Sequence, residues 1–128
     1  MSKVVLDASA LLALLRQERG HEKLTEEVLR DAAISTVNLS EVQSKLVSAG
    51  MYPDDVWNAA VSVVKEVIPF TAEQARITGD LIAKTSHLGL SLGDRACLAV
   101  ALLQDARIYT ADRLWNKLRL GVAIHSIR

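Results

Sequence analysis

Four carboxylates in this chain stand where extended and helical patterns meet. Asp7 closes the apolar run "KVVL", Glu41 sits in "NLSEV", Asp94 opens the otherwise apolar "LSLGDRACLAVALL", and Asp112 follows "RIYTA". Each alone has an ordinary structural use. Asp7 and Asp112 are placed to cap the helices that follow them, while Glu41, three after Asn38, and Asp94, three after Ser91, have capping-box spacing. Thr71 and Gln74 show the same spacing with no acid. Four carboxylates gathered at one place are harder to explain structurally, because they raise one another's pKa unless a cation neutralises them. The ions that suit such a set are Mg²⁺ or Mn²⁺, which take oxygen donors; Mg²⁺ also keeps waters and leaves room for phosphate oxygens. Ser9, two after Asp7, and Thr110, two before Asp112, add hydroxyls able to hold a metal-bound water or a neighbouring carboxylate.

The elements around these residues decide whether they meet. Apolar and β-branched runs predict strands at 3–6, 33–37, 66–70, 107–110 and 122–127. Helical periodicity predicts helices over 8–18, 21–31, 38–50, 53–65, 71–89 and 90–103, with a short one at 111–118. Pro69 confines the third strand to an edge or a strand end. Strands separated by helices need crossover connections, so the fold class is α/β: a central, mainly parallel sheet of about five strands with helices on both faces. Ligands of such sheets bind beyond the carboxyl ends of the strands. Asp7, Glu41 and Asp112 map to that rim by connectivity, and Asp94 joins them if its helix begins there. With no internal repeat or linker, residues 1–128 read as a single domain.

Composition narrows the function. Fifteen basic and fifteen acidic residues leave no net charge, which argues against nucleic-acid binding by bulk electrostatics alone. From Arg113 onward the chain carries Arg113, Lys117, Arg119 and Arg128 with no acid, so one end of the fold is expected to be positive. The one cysteine, Cys97, excludes an internal disulfide and a cysteine-based zinc cluster and reads as a buried apolar residue. None of His21, His87 and His125 is placed as an obvious base. No signal peptide precedes "KVVLDAS" and no run is long enough to span a membrane, so a soluble, cytoplasmic protein is expected.

The segments "VVLDASALLALL", "NLSEV", "LSLGDRACLAVAL" and "YTADRLW" resemble, in order and over nearly the whole chain, the signature segments of PIN-domain nucleases in the form found in VapC toxins of bacterial toxin–antitoxin pairs. "D-x-S", "S-L-x-D" and "T-A-D" are the diagnostic pieces; "S-E-V" alone is weak. The resemblance implies a PIN-like three-layer sandwich and a metal-dependent ribonuclease using Mg²⁺ or Mn²⁺. It implies that Asp7, Glu41, Asp94 and Asp112 form the catalytic set, with Asp7, Asp94 and Asp112 on metal and Ser9 and Thr110 supporting them. Arg95, Arg113, Lys117 and Arg119 are candidate RNA phosphate contacts. A VapB-type antitoxin and a homodimer are the implied partners. Leu11, Leu12, Leu15, Met51, Tyr52 and Trp57 are candidate surface apolar residues for such contacts. The alternatives are an RNA-processing nuclease of the same fold without an antitoxin and a non-catalytic RNA- or protein-interaction module. A phosphoaspartyl enzyme is disfavoured because "DAS" stands where such phosphatases show D-x-D.

Overall fold

Three consecutive apolar residues make β1 (Val4–Leu6) a wholly buried central strand, as a parallel sheet covered on both faces requires. The computed structural model describes residues 3–128. After β1 come α1 (Ala8–Arg16), α2 (Glu26–Leu29), β2 (Ala32–Ser35), α3 (Thr36–Ser48), α4 (Pro53–Val63), β3 (Glu66–Ile68), α5 (Ala72–Asp80), α6 (Ile82–Thr85), α7 (Leu92–Gln104), β4 (Arg107–Thr110) and β5 (Ile124–Ser126). The sheet has the order β3-β2-β1-β4-β5, with all neighbours parallel. β3 is an edge strand, and Pro69 stands just past its end.

Successive side chains of a strand point to opposite faces, and the core divides accordingly. Val4, Leu6 and Ile34 pack with Leu11, Leu39, Leu46 and Val56 from α1, α3 and α4. Val5, Ala33 and Ile108 pack on the other face with Leu98, Val100 and the fully buried Trp115. Two apolar layers on one sheet give the three-layer α/β sandwich that the strand–helix alternation predicts.

Several boundaries differ from the pattern. The strand expected over 33–37 ends at Ser35, whose Oγ accepts from Val37 N at 3.1 Å and starts α3. Asn38 therefore lies inside the helix rather than at its cap. The helix expected over 21–31 is a 3-10 turn (His21–Lys23) followed by the single turn of α2. Of its apolar residues Leu24 alone is fully buried, and a short helix without a packed face is not sustained. The span 71–89 breaks into α5, α6 and a 3-10 turn (Ser86–Leu88); Thr85 Oγ1 donates to the Leu81 carbonyl at 2.9 Å, a side-chain bond that competes with helix continuation. The span 111–118 is a 3-10 helix (Arg113–Lys117).

Leu11 and Leu12, expected near the surface, are core residues, whereas Met51, Tyr52 and Trp57 are exposed. Among the described residues no helix is long and apolar enough to cross a membrane.

Candidate active site

The strand order reverses between β1 and β4, and just beyond their carboxyl ends lie Asp7 and Asp112. Such a reversal opens a crevice between the outgoing connections. Here it is a cleft of about 330 Å³ whose lining includes Asp7, Ser9, Glu41, Ser91, Asp94 and Asp112. All four acids predicted to share a rim face this one cleft.

Asp7 is the buried member, 3% exposed. It is the N-cap of α1, with Oδ1 accepting from Ala10 N at 2.8 Å. Ser9 Oγ donates across both carboxylate oxygens at 2.8 and 2.9 Å, and Thr110 Oγ1 donates to Oδ2 at 2.6 Å. The two hydroxyls are themselves fixed. Ser9 Oγ accepts from Ala111 N, and Thr110 Oγ1 from Asp112 N. Burial pushes the Asp7 carboxyl up from 3.8 to about 6; the hydrogen bonds from Thr110, Ala10 and Ser9 oppose the rise and the charge of Asp94 adds to it.

Glu41 stands in the second turn of α3, not the first, so it takes no part in capping. Its position is set by two residues whose role the sequence pattern hides. Buried Asn38 donates from Nδ2 to Glu41 Oε1 at 2.8 Å and to the Gly93 carbonyl at 2.9 Å, tying α3 to the first turn of α7. Gly93 leaves the space that the carboxylate fills, since a Cβ there would overlap the Glu41 carboxyl group. The sequence signal for Asn38 is its spacing of three from Glu41 on one helix face; it resembles a cap only while the helix is taken to start at Asn38, and α3 starts two residues earlier.

Asp94 completes a capping box with Ser91: Ser91 Oγ accepts from Asp94 N, and Asp94 Oδ2 accepts from Ser91 N at 2.9 Å. Asp112 caps the 3-10 helix through Leu114 N at 3.0 Å. Beneath them lies the buried Cys97, whose thiol is pushed well up first by burial and then by the charges of Asp7, Asp94 and Glu41. Three carboxylates thus act electrostatically on one buried point.

The donor chemistry suits a hard divalent ion, being all oxygen with neither histidine nor thiolate in reach. Yet among the described residues no three His, Cys, Asp or Glu side chains are gathered tightly enough to form a ready-made metal cage. Asp7 in particular has its lone pairs occupied by its own protein's donors.

The predicted cations are dispersed. Arg113 lies beside the cleft, lining an adjoining recess with Ser9 and Asp112. Arg95 is half-buried and donates to the Thr78 carbonyl at 2.8 Å, bracing α7 against α5. Lys117 and Arg119 line a separate recess with His87. Of the other histidines, His21 contacts the Glu18 carbonyl and His125 stacks on Tyr109.

Gly93 offers a test that separates site from scaffold. Alanine in a helix is favoured over glycine by about 1 kcal/mol, so Gly93→Ala is expected to leave the melting temperature within a few degrees. Displacement of the Glu41 carboxylate should nevertheless reduce any activity of the cleft by an order of magnitude or more. A melting temperature lowered in step with activity would instead make Gly93 a packing residue.

Comparison with known proteins agrees with this architecture. The family model described as the PIN domain matches residues 4–119. None of the curated proteins compared with the chain matches it by sequence. Among solved structures, DNA-bound VapBC from Salmonella typhimurium superposes with a TM-score of 0.76 at 16% identity, covering 100% of both chains. A toxin-antitoxin complex from Klebsiella pneumoniae gives 0.75 at 19%, covering 98% of each. VapC20 from Mycobacterium tuberculosis, described as a sarcin-ricin loop cleaving toxin, gives 0.74 at 18%, covering 94% of this chain and 98% of that one. At these identities the likeness is one of fold.

Proposed function

Because the chain belongs to the PIN-domain family, we propose that it is a metal-dependent endoribonuclease that acts as the toxin of a VapBC-type pair, one domain across residues 1–128 working in the cytoplasm. The observation that carries this reading is the convergence of Asp7, Glu41, Asp94 and Asp112 on one cleft at the β1/β4 reversal.

Asp7, Asp94 and Asp112 would hold Mg²⁺ or Mn²⁺. When bound, such an ion supplies Lewis-acid stabilisation of phosphate oxygens and lowers the pKa of a coordinated water. The protein's own groups do the rest. Ser9 and Thr110 orient Asp7, each being anchored by a backbone N–H. Glu41, held by Asn38, stands free of any cap and is the carboxylate best placed to accept the proton of an attacking water. Ser91 and Asp94, at the N-terminus of α7, line the cleft, and the positive end of a helix dipole there favours a phosphate.

The partner proposals follow from the neighbours. The Salmonella and Klebsiella structures are described as toxin–antitoxin assemblies, and the exposed Met51, Tyr52 and Trp57 supply apolar surface for a VapB-type antitoxin or a second copy.

The test is cleavage of total RNA, tRNA and rRNA by purified protein free of any partner, in Mg²⁺ or Mn²⁺ and in EDTA. Discrete fragments that require the metal are expected. Cleavage undiminished by EDTA, or no cleavage of any RNA class, would overturn the reading.

A further inference from the structure

Beside the acidic cleft lies a second recess of about 490 Å³, lined by Ser9, Arg19, Ala111, Asp112, Arg113 and Arg128. Four of these, Ser9, Ala111, Asp112 and Arg128, also line the cleft. The two recesses therefore share a wall, and three arginines line the outer one.

Those arginines come from three separate parts of the chain: the turn after α1, the 3-10 helix after β4, and the stretch beyond β5. Gly20 lets them converge. Its φ of +92° suits glycine, and a Cβ at this position would collide with the Ile127 carbonyl. The turn consequently packs against the last strand, where Arg128 Nε donates to the Arg19 carbonyl at 3.1 Å and Arg128 Nη2 lies 3.4 Å from Glu18 Oε1. Arg128 is thus tethered and partly neutralised. Arg19 and Arg113 are exposed, and among the described residues neither forms an ion pair.

We infer that this recess is a phosphate subsite for the RNA strand, with Arg19 and Arg113 gripping phosphodiester oxygens adjacent to the one presented to the acids and Arg128 fixing the wall between them. The inference rests on the nuclease reading and deepens it. A chain with no net charge has no global pull on a polyanion, and in the cleft itself five acids, Glu18 included, outnumber Arg16, Lys45 and Arg128, so the exposed Arg19 and Arg113 supply positive charge locally beside it. The planar guanidinium fork matches two phosphate oxygens at once. The same fork accepts a carboxylate, but an acidic peptide has no reason to continue into a cleft where five acids outnumber three cations. A polynucleotide must present phosphates both there and beside it.

The experiment is fluorescence anisotropy with a labelled single-stranded RNA of mixed sequence, in EDTA so that no cleavage occurs, over a series of salt concentrations. Arg19→Gln and Arg113→Gln are each expected to weaken binding about five- to tenfold at low salt. Together they should reduce the slope of log K against log salt by about 1.4, or about 0.7 for each phosphate of a single strand that is no longer neutralised. Lys84→Gln, in the separate recess with His87, should change neither. Wild-type affinity and slope in both arginine variants would overturn the subsite while leaving the nuclease reading standing. Failure of the wild type to bind RNA would remove both. Arginine-dependent binding of polyglutamate in place of RNA would assign the recess to a protein partner and overturn the inference.

Discussion

Asp94→Asn is expected to abolish RNA cleavage, by a factor of about a thousand or more, while leaving the fold intact. The capping box explains why the scaffold survives. Ser91 Oγ accepts from the Asp94 backbone, which substitution does not touch, and an asparagine side-chain oxygen can still accept from Ser91 N as Oδ2 does now. The cost to stability is therefore no more than about 1 kcal/mol, within the range of a whole N-cap. What disappears is the charge. If this carboxylate holds a cation that stabilises phosphate oxygens in the transition state, several kcal/mol go with it, and each 1.4 kcal/mol is about a factor of ten. Single-turnover cleavage at saturating Mn²⁺, with circular dichroism on the same sample, checks both halves. Thr71→Ala is the matched control, because Thr71 caps α5 through Gln74 N and has no place in the cleft. It should cost about 1 kcal/mol of stability with no change in rate per folded molecule. Activity of Asp94→Asn within tenfold of wild type would reduce Asp94 to a cap.

The contrast between Asp94 and Asn38 shows what the amino-acid order makes legible. Asp7, Asp94 and Asp112 are readable because each belongs to a local pattern, a strand end or a capping box, and parallel connectivity then sends strand ends to one rim. The α/β class is readable for the same reason, as the alternation of strand and helix leaves no other economical pairing. Asn38 is not, because one hydroxyl, that of Ser35, starts α3 earlier than periodicity suggests and turns an apparent cap into a buried bridge. Gly93 and Gly20 are hidden differently. Their importance lies in what a side chain would strike, the Glu41 carboxylate and the Ile127 carbonyl, and neither neighbour is near in sequence. The arginines of the recess show the same limit. The basic end from Arg113 onward is visible in the sequence, yet Lys117 and Arg119 turn away from the acids, while Arg19, more than ninety positions earlier, reaches the rim only through the packing of its turn. The apolar faces are ambiguous as well, since periodicity marks Leu11 and Met51 alike as hydrophobic and only the layer above decides which is covered.

Asp7→Asn is expected to make the metal-free protein more stable near neutral pH, even though it removes a carboxylate from the proposed site. The folded-state pKa of Asp7 is about 6 against an ordinary 3.8, with burial as the main cause. A raised acid pKa means that the folded protein holds this proton more tightly than the unfolded chain does. The stability it contributes is fully present below about pH 3.8 and is lost as pH rises through about 6. Above that, the buried ionised group costs about 3 kcal/mol, at about 1.4 kcal/mol for each pH unit between the two values. An asparagine escapes this cost but cannot accept from both Ser9 and Thr110 as the carboxylate does, a loss of at least about 1 kcal/mol, so a net gain of up to about 2 kcal/mol is expected at pH 7.5. Urea unfolding in EDTA at pH 5 and pH 8 reads it directly: the wild type should lose stability across that interval, and Asp7→Asn should not. Restoring Mg²⁺ or Mn²⁺ should then reverse the order, since a cation that binds only the folded wild type adds about 2.7 kcal/mol at a hundred times its Kd, and the amide variant has no charge there to attract it. Parallel pH curves for the two proteins would mean that the Asp7 carboxylate is accommodated by its hydrogen bonds alone. A divergence that the cation closes would explain why a buried acid is kept where a neutral cap would hold α1 as well: its ionised form is stabilised by the ion it is there to bind.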